Sequence, residues 1–478
     1  MSGARLPLAF ARDNQVALDD TTLLAGPEAT MNGLRAARRA AGAALAPDML
    51  DLDTFQHRLS RLYDSGTEEG EEVAFDLEDT TRQTARDILE DPEDAPVIRL
   101  VNQLLRQAVR GSASDLHLEP HESGLRARMR IDGTMQTVFD RRDVPAKRVV
   151  SRLKVMSGLD IAETRLPQDG RIALRLGGRA IDVRLSTLPG HHGERVVMRL
   201  LDRSGGLMEL DRLGLSPENA ARLNRLAALP NGIILATGPT GSGKTTTLYS
   251  LLRLADRRER TILTVEDPVE YDLPGISQTP VNPDIGLTFA RGLRSILRQD
   301  PDVILVGEIR DGETAQTASE AALTGHLVFS SLHANTALSA VVRLRELGVE
   351  GYLISATLRG VLAQRLVRRL CPKCARAEAP TPEDTALFRL HNVPAPAQIH
   401  HAQGCEACDG TGYSGRVGVY DILEIDEKLR AAIDSDASEV RLREAAGERP
   451  SLMQSALALV AEGQTSPAEV RRVLGETA

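Results

Sequence analysis

The chain has 478 residues, 42% of them hydrophobic, which suggests about three domains with apolar side chains enough for a core in each. No apolar run approaches the roughly 20 residues that span a bilayer, and the opening MSGARLPLAFARDNQ lacks a signal peptide's continuous apolar core, so a cytoplasmic address is expected. A formal net charge of −9, 3% aromatic residues and no tryptophan give neither a general attraction to nucleic-acid backbones nor many stacking platforms, which argues against a nucleic-acid partner.

Residues 1–63 mix short apolar helical patterns with the stretch LRAARRAAGAALA and read as a mainly helical N-terminal region. The acidic run SGTEEGEEVAFDLEDT follows, and residues 64–93 read as a solvated linker. Asp94 is placed to cap a helix carrying Val97, Ile98, Val101, Leu104, Leu105 and Val109 at helical spacing. Then Leu125, Ala127, Met129 and Ile131 alternate with Arg126, Arg128 and Arg130, and Asp132-Gly133 turns the chain into MQTVF, a hairpin with one basic face. A helix AKRVVSRLKVM, a second hairpin RIALRL-GG-RAIDVRLS and a strand ERVVMRLL complete a small α+β, PAS-like domain over residues 94–203.

From residue 204 to 478 strands and helices alternate, as IILAT, KTTTLYSLLRLA, TILTVED, FARGLRSILRQ, DVILVGE, ETAQTASEAALTG and HLVFSSLH. Such alternation predicts a parallel, doubly wound α/β sheet of the RecA-like kind, which binds ligands beyond the carboxyl ends of its strands. In NGIILATGPTGSGKTTTLYS, the loop Gly238-Pro239-Thr240-Gly241-Ser242-Gly243-Lys244-Thr245 lies between an apolar strand and a helix, the setting of a phosphate-binding loop. Its glycines let backbone N–H groups and the helix N-terminus face a polyphosphate. Lys244 then reaches the β- and γ-phosphates, and the Thr245 hydroxyl is placed to bind Mg²⁺.

Two acidic clusters follow two core strands: Glu266-Asp267-Pro268-Val269-Glu270 after TILTV, and Gly307-Glu308 after DVILV. An NTPase needs one carboxylate on the Mg²⁺ side and another to orient or deprotonate water. Glu308 suits the first role; Glu270 is favoured for the second, with Glu266 its competitor. His326 and His333 bracket the strand LVFSS, each suited equally to sensing a γ-phosphate or an interface and to simple hydrogen bonding. Arg294 and Arg298 are four apart in one helical pattern and so share a face, while Arg184 and Arg199 are read at the ends of two strands of the α+β domain. Fixed cations of this kind neutralise charge on a transferring phosphoryl group, in cis or from a neighbouring subunit. All four cysteines form two knuckles, Cys371-Pro-Lys-Cys374 and Cys405-Glu-Ala-Cys408, spaced as ligands of one structural Zn²⁺ in a loop-rich appendage over residues 370–413.

Together these motifs resemble the type II/IV secretion ATPases, and within them the assembly ATPases of the general secretory (type II) pathway. The resemblance spans residues 94–473 and rests on SASDLHLEP, RLPQDGRIALR, GPTGSGKTTTLYS, TVEDPVEY, the run from TFARGLRSILRQDPDVILVGEIRD through ETAQTASEAALTGHLVFSSLHANTA, the CPKC and CEAC pairs, and EGQTSPAEV. It implies a homohexamer that hydrolyses ATP with Mg²⁺ to drive assembly of a pilus-like fibre. It implies a peripheral place on the cytoplasmic face of the inner membrane, residues 1–63 docking on the cytoplasmic domain of a platform protein. It gives catalytic roles to Lys244, Glu270, Glu308, His333, Arg184, Arg199, Arg294 and Arg298. The cysteine pairs occur also in type IV pilus assembly ATPases, the alternative reading, and are lacking in pilus retraction ATPases; SASDLHLEP and FARGLRSILRQDPD lean toward secretion. A hexameric nucleic-acid translocase on the same core is a distant alternative.

Overall fold

In the computed structural model the described residues are 95–176, 179–202, 208–255 and 259–475, preceded by 6, 10–11, 14–19, 22–27, 29–41, 43, 45–51, 54–55, 58–59 and 76–77. They divide into two units, Met1–Ala74 and Phe75–Ala478. In the first, β1 (Val16–Asp19) and β2 (Thr22–Ala25) make an antiparallel hairpin, and β3 (Pro47–Met49) joins β2 in parallel. Helix α1 (Met31–Ala41) arises from the Arg/Ala-rich stretch and packs its Ala37 with Val16, Leu23, Leu24 and Phe55. The sheet is an addition to the helical pattern of the sequence, because four-residue strands are too short to display an alternation. Asp94 and most of the expected linker lie outside the described residues; within it, Asp76–Leu77 forms a short strand, β4.

In the second unit, α2 (Ala95–Arg110) leads to β5 (Asp115–His121), β6 (Gly124–Ile131) and β7 (Thr134–Arg141); α3 (Ala146–Met156) leads to β8 (Gln168–Leu176), β9 (Arg179–Leu188) and β10 (Arg195–Asp202). These strands form an antiparallel sheet in the order β4-β8-β9-β10-β5-β6-β7. Period-two alternation divides its side chains. Leu116, Leu118, Leu125, Ala127, Met129, Val183 and Met198 pack under the apolar stripes of α2 and α3. The opposite face is charged but not basic, contrary to the expectation from its arginines. Arg126 pairs with Asp140 at 2.8 Å and Arg128 with Glu119 at 2.6 Å, so acids on neighbouring strands cancel the row.

The larger sheet begins after α4 (Pro217–Ala227) with β11 (Gly232–Thr237), α5 (Lys244–Leu254), β12 (Ile262–Glu266), β13 (Ser277–Pro280), α6 (Phe289–Ile296), β14 (Val303–Val306), α7 (Gly312–Leu323) and β15 (Leu327–Leu332). Helices α8 (Ala337–Glu346) and α9 (Gly351–Thr357) precede the long strand β16 (Leu358–Leu370). Strand order is β13-β12-β14-β15-β11-β16-β19, parallel from β13 to β16, with β19 (Tyr413–Glu424) antiparallel to β16. Alternate residues of β11 serve opposite cores, Ile233 and Leu235 on one face and Ile234 and Ala236 on the other, which is why the strand is apolar throughout.

The antiparallel β19 departs from the purely parallel expectation. Between β16 and β19 lie β17 (Arg376–Glu378), α10 (Pro382–Leu390) and β18 (Ile399–His401), and beyond them α11 (Glu427–Asp434), α12 (Glu439–Ala445), α13 (Leu452–Ala461) and α14 (Pro467–Leu474). The cysteine-bearing segment is thus less loop-like than its sequence reads. Its Leu387, Phe388 and Ile399 join one apolar cluster with Leu452, Met453 and Val470.

Candidate functional site

Strands β11, β12, β14 and β15 run parallel, so their carboxyl ends meet at one edge of the sheet. That register brings together the loop after β11, Glu266–Glu270, Glu308 and His333. The loop is cramped from behind by β16. At Gly238, where φ is +146°, a Cβ would come within 2.5 Å of the Gln364 carbonyl, and at Gly243, where φ is +89°, within 2.8 Å of the Gln364 amide nitrogen. Glycine alone fits both places. Lys244 Nζ donates to the carbonyls of Gly238 at 2.8 Å and Pro239 at 3.1 Å. Burial holds the Lys244 ammonium below its ordinary pKa, partly countered by the Glu308 charge. The Ser242 hydroxyl is buried with no hydrogen-bond partner, and Thr245 is exposed at the first turn of α5. A left-handed glycine cradle, an orphaned buried hydroxyl, a lysine and a helix N-terminus fit a polyphosphate. The loop opens on a cleft of about 1200 Å³ whose far wall is the charged face of the α+β sheet, with Asp115 and Arg199 among its residues.

The acids separate by environment. Glu266 ends β12 at 3% exposure, its oxygens taken by Tyr249, Thr264 and Gln278. Glu270 is open to the cleft and meets Arg184 Nη2 at 3.1 Å. Glu308 holds His333 Nε2 at 3.3 Å and forms a close ion pair with Arg310. Arg310 stands out in no motif of the sequence. It bridges Glu308 to Asp267, 3.2 Å away, and its guanidinium lies 5.8 Å from the Phe289 ring centroid. The two histidines part company: His326 sits at the other end of β15, its Nδ1 2.7 Å from the Ala321 carbonyl, away from the acids.

Arg184 and Arg199 lie inside β9 and β10 rather than at their ends. They are direct cross-strand partners, and Arg171 on β8 extends the row to three arginines. Like charges facing across strands repel, and each of the three leans on an acid: Arg199 on Asp115 at 3.2 Å, Arg184 on Glu270, Arg171 on Asp182. The helical pairing expected of Arg294 and Arg298 does not hold, because α6 ends at Ile296. Arg298 folds back to donate to the Arg294 carbonyl at 2.8 Å, and Arg294 pairs with Glu313 at 2.6 Å. Both are exposed and neither lines the cleft.

The four cysteines converge as their spacing predicts. Their sulfurs lie within 4.8 Å of one another, with Cys371–Cys405 at 3.9 Å, Cys374–Cys408 at 3.8 Å and Cys405–Cys408 at 3.7 Å. A tetrahedron of sulfurs about 2.3 Å from zinc has edges of about 3.8 Å. The backbone N–H groups of Cys405 and Gly412 each donate to Cys408 Sγ at 3.2 Å. Burial pushes the Cys408 thiol up, but these donors win and hold it at about 6, while burial carries Cys374 to about 11. The donor set fits a closed four-sulfur zinc site. At the foot of this segment, Asp132 in the β6–β7 turn accepts from the Gly415 N–H at 3.0 Å and pairs with Arg416 at 3.2 Å.

Comparison with known proteins agrees with this architecture. The family described as Type II/IV secretion system protein matches residues 90–472. The amino-terminal domain described for GSPII protein E matches residues 5–63, a segment without any motif recognisable by eye. The Type II secretion system protein E of Dickeya dadantii (strain 3937) is 47% identical, with 98% of this chain and 97% of that protein covered. The Type II secretion system ATPase E of Vibrio cholerae serotype O1 is 45% identical, covering 99% and 97%. Among solved structures, the ATPase DotB of Legionella pneumophila superposes with a TM-score of 0.57 at 21% identity, over 78% of this chain and 95% of that one, a likeness of fold. The pilus retraction motor PilT with bound ADP gives a TM-score of 0.53 at 25% identity, over 77% and 95%. With a glycine-rich loop, two acids and the charged face of the α+β sheet around one cleft, and relatives matching over nearly the whole length, the chain belongs to the type II/IV secretion system protein family, in its type II protein E branch.

Proposed function

We propose that this chain is the ATP-hydrolysing motor of a type II secretion system. The observation that carries the reading is that Lys244, Glu308 and Glu270 face one cleft, with Glu270 held by Arg184 from the second domain. Thr245 and Glu308 would hold Mg²⁺, whose charge supports the transferring phosphoryl group. Lys244 turns from its own carbonyls to the β- and γ-phosphates. Glu270 orients the attacking water and takes its proton as the water oxygen bonds to the γ-phosphorus and the bridge to ADP breaks. Arg184, released from Glu270, and Arg199 meet the developing negative charge, so turnover depends on how the α+β domain sits over the loop. His333, touching Glu308, is suited to report on the metal side. Arg294 and Arg298, exposed and outside the cleft, suit a neighbouring subunit of a homohexamer. Zn²⁺ at Cys371, Cys374, Cys405 and Cys408 serves structure. The N-terminal unit would dock on the cytoplasmic domain of an inner-membrane platform protein, and among the described residues no helix is long and apolar enough to cross a membrane.

The test is twofold. The purified chain should turn over ATP with Mg²⁺ and stop in EDTA, without stimulation by DNA. Its gene should restore export in a type II secretion strain lacking its own protein E, while Glu308→Gln should not. Restoration of pilus extension instead of export would favour the pilus alternative; DNA-stimulated turnover would favour a translocase.

A further inference from the structure

Glu266 is an unusual place to spend a carboxylate: it is 3% exposed, at the end of a core strand, one residue before the loop that presents Glu270 to the cleft. Three donors converge on it. Thr264 Oγ1 reaches Oε1 at 2.5 Å, Gln278 Nε2 reaches the same oxygen at 3.0 Å, and the Tyr249 phenol donates to Oε2. All three groups donate to the carboxylate, and the Gln278 amide nitrogen can do nothing else. With its proton on Glu266, the Tyr249 phenolic oxygen is free to accept, and the Glu270 backbone N–H donates to it at 3.4 Å. Gln278 clasps the same loop further on, accepting from the Leu273 N–H at 2.7 Å and donating to the Tyr271 carbonyl at 3.1 Å. Tyr249 itself is fully buried and lies on α5, one helical turn beyond Thr245 and on the same face. Burial and the adjoining Glu266 charge push its phenol far above the ordinary range, so it stays a donor.

We infer that Glu266, Tyr249 and Gln278 are positioning residues for Glu270, tying the loop that carries the water-activating carboxylate to the helix that carries Lys244 and Thr245. The inference rests on the assignment of Glu270 as the base. It also gives Glu266 a task other than proton transfer. The spacing between phosphate-binding and water-activating groups is then set by one helix and one polar cluster, and a misplacement of about 1 Å in such a group can cost on the order of 10²-fold in rate.

A double-mutant cycle separates positioning from simple structural support. Tyr249→Phe keeps the ring and removes only the bridge, and Glu266→Gln keeps the shape but sets an amide NH2 against donors that a carboxylate alone accepts on both oxygens. Each is expected to lower kcat about tenfold, with the KM for ATP and the affinity for a fluorescent ADP within about twofold of wild type. In a Glu270→Gln background, Tyr249→Phe should change the residual turnover less than about twofold, because its target is already gone. Near-wild-type kcat for both variants, or a full multiplicative loss on top of Glu270→Gln, would overturn the inference while leaving Glu270 as the base. Wild-type turnover by Glu270→Gln itself would overturn the base assignment, and this inference with it. Should Tyr249→Phe lose nucleotide binding, Glu266→Gln carries the cycle in its place.

Discussion

Lys244 donates to two carbonyls of its own loop, half-buried on the cleft with Glu308 and Arg365 near it. Lys244→Ala should therefore abolish ATP turnover and leave the thermal midpoint and circular dichroism close to wild type. Glu308→Gln removes a full charge from beside Arg310 and His333, and its turnover should fall by on the order of 10² or more. Steady-state assays with a folded-state control check both. At this scale the sequence is legible where placement follows from local chain geometry: the glycine loop and Lys244 between β11 and α5, and the acid after β14, all on one cleft. It does not rank Glu270 decisively above Glu266, since what separates them is burial, and burial comes from Tyr249 and Gln278, which are distant in sequence. Nor does it single out Arg310, whose partners Glu308 and Asp267 come from two different strand ends.

Elements are readable where a period shows and obscure where it does not. The α+β hairpins, α5 and α7 follow their patterns closely, while α6 stops at Ile296, short of its pattern. Strand β16 escapes, because LRGVLAQRLVRRL is buried on both faces at its start and charged toward its end, which matches neither a helical nor an alternating pattern. With β19 it makes the hairpin from which the cysteine segment springs, Leu370 facing Tyr413 across the last pair. Metal analysis of protein purified without added zinc should find about one Zn²⁺ per chain. Replacing Cys371 and Cys374 with serine should raise protease sensitivity within residues 371–412 but leave ATP turnover within about threefold, since Phe388 at 0% exposure keeps α10 seated without the metal. A folded, zinc-free form with no turnover would show that the two sites are not separable.

For the whole molecule, the row Arg171–Arg184–Arg199 holds three cations side by side, each leaning on one acid, so a polyphosphate entering the cleft would compete with Asp115 and Glu270 for Arg199 and Arg184. Arg199→Ala should keep nucleotide binding and lose turnover, and specific activity should climb with protein concentration if neighbouring subunits complete the site; equal activity in a dilute monomer would contradict the ring. The partition into two units is only partly legible, since the N-terminal unit's short strands carry no pattern and its likeness to known protein E amino-terminal domains lies below any motif. In the larger unit, the strand that braces Gly238 and Gly243 through Gln364 runs on to Leu370, with one register irregularity between Arg368 and Leu370, and ends beside the first cysteine, roughly 20 Å away at strand rise. The glycine-rich loop and the cysteine knuckles are therefore two ends of one stiff rod. The α+β domain meets the larger sheet's domain through polar contacts that can exchange partners, Arg184 with Glu270 in the loop after β12 and Asp132 with Gly415 and Arg416 on β19, the strand paired with that rod. Spin-label distances between α5 and the cysteine segment should stay constant through the ATP cycle, while those from the β6–β7 turn to the same segment shift by several ångströms. A stroke begun in the cleft would then be delivered by pivoting at these two clasps, with the cysteine end acting as the fixed arm of the lever.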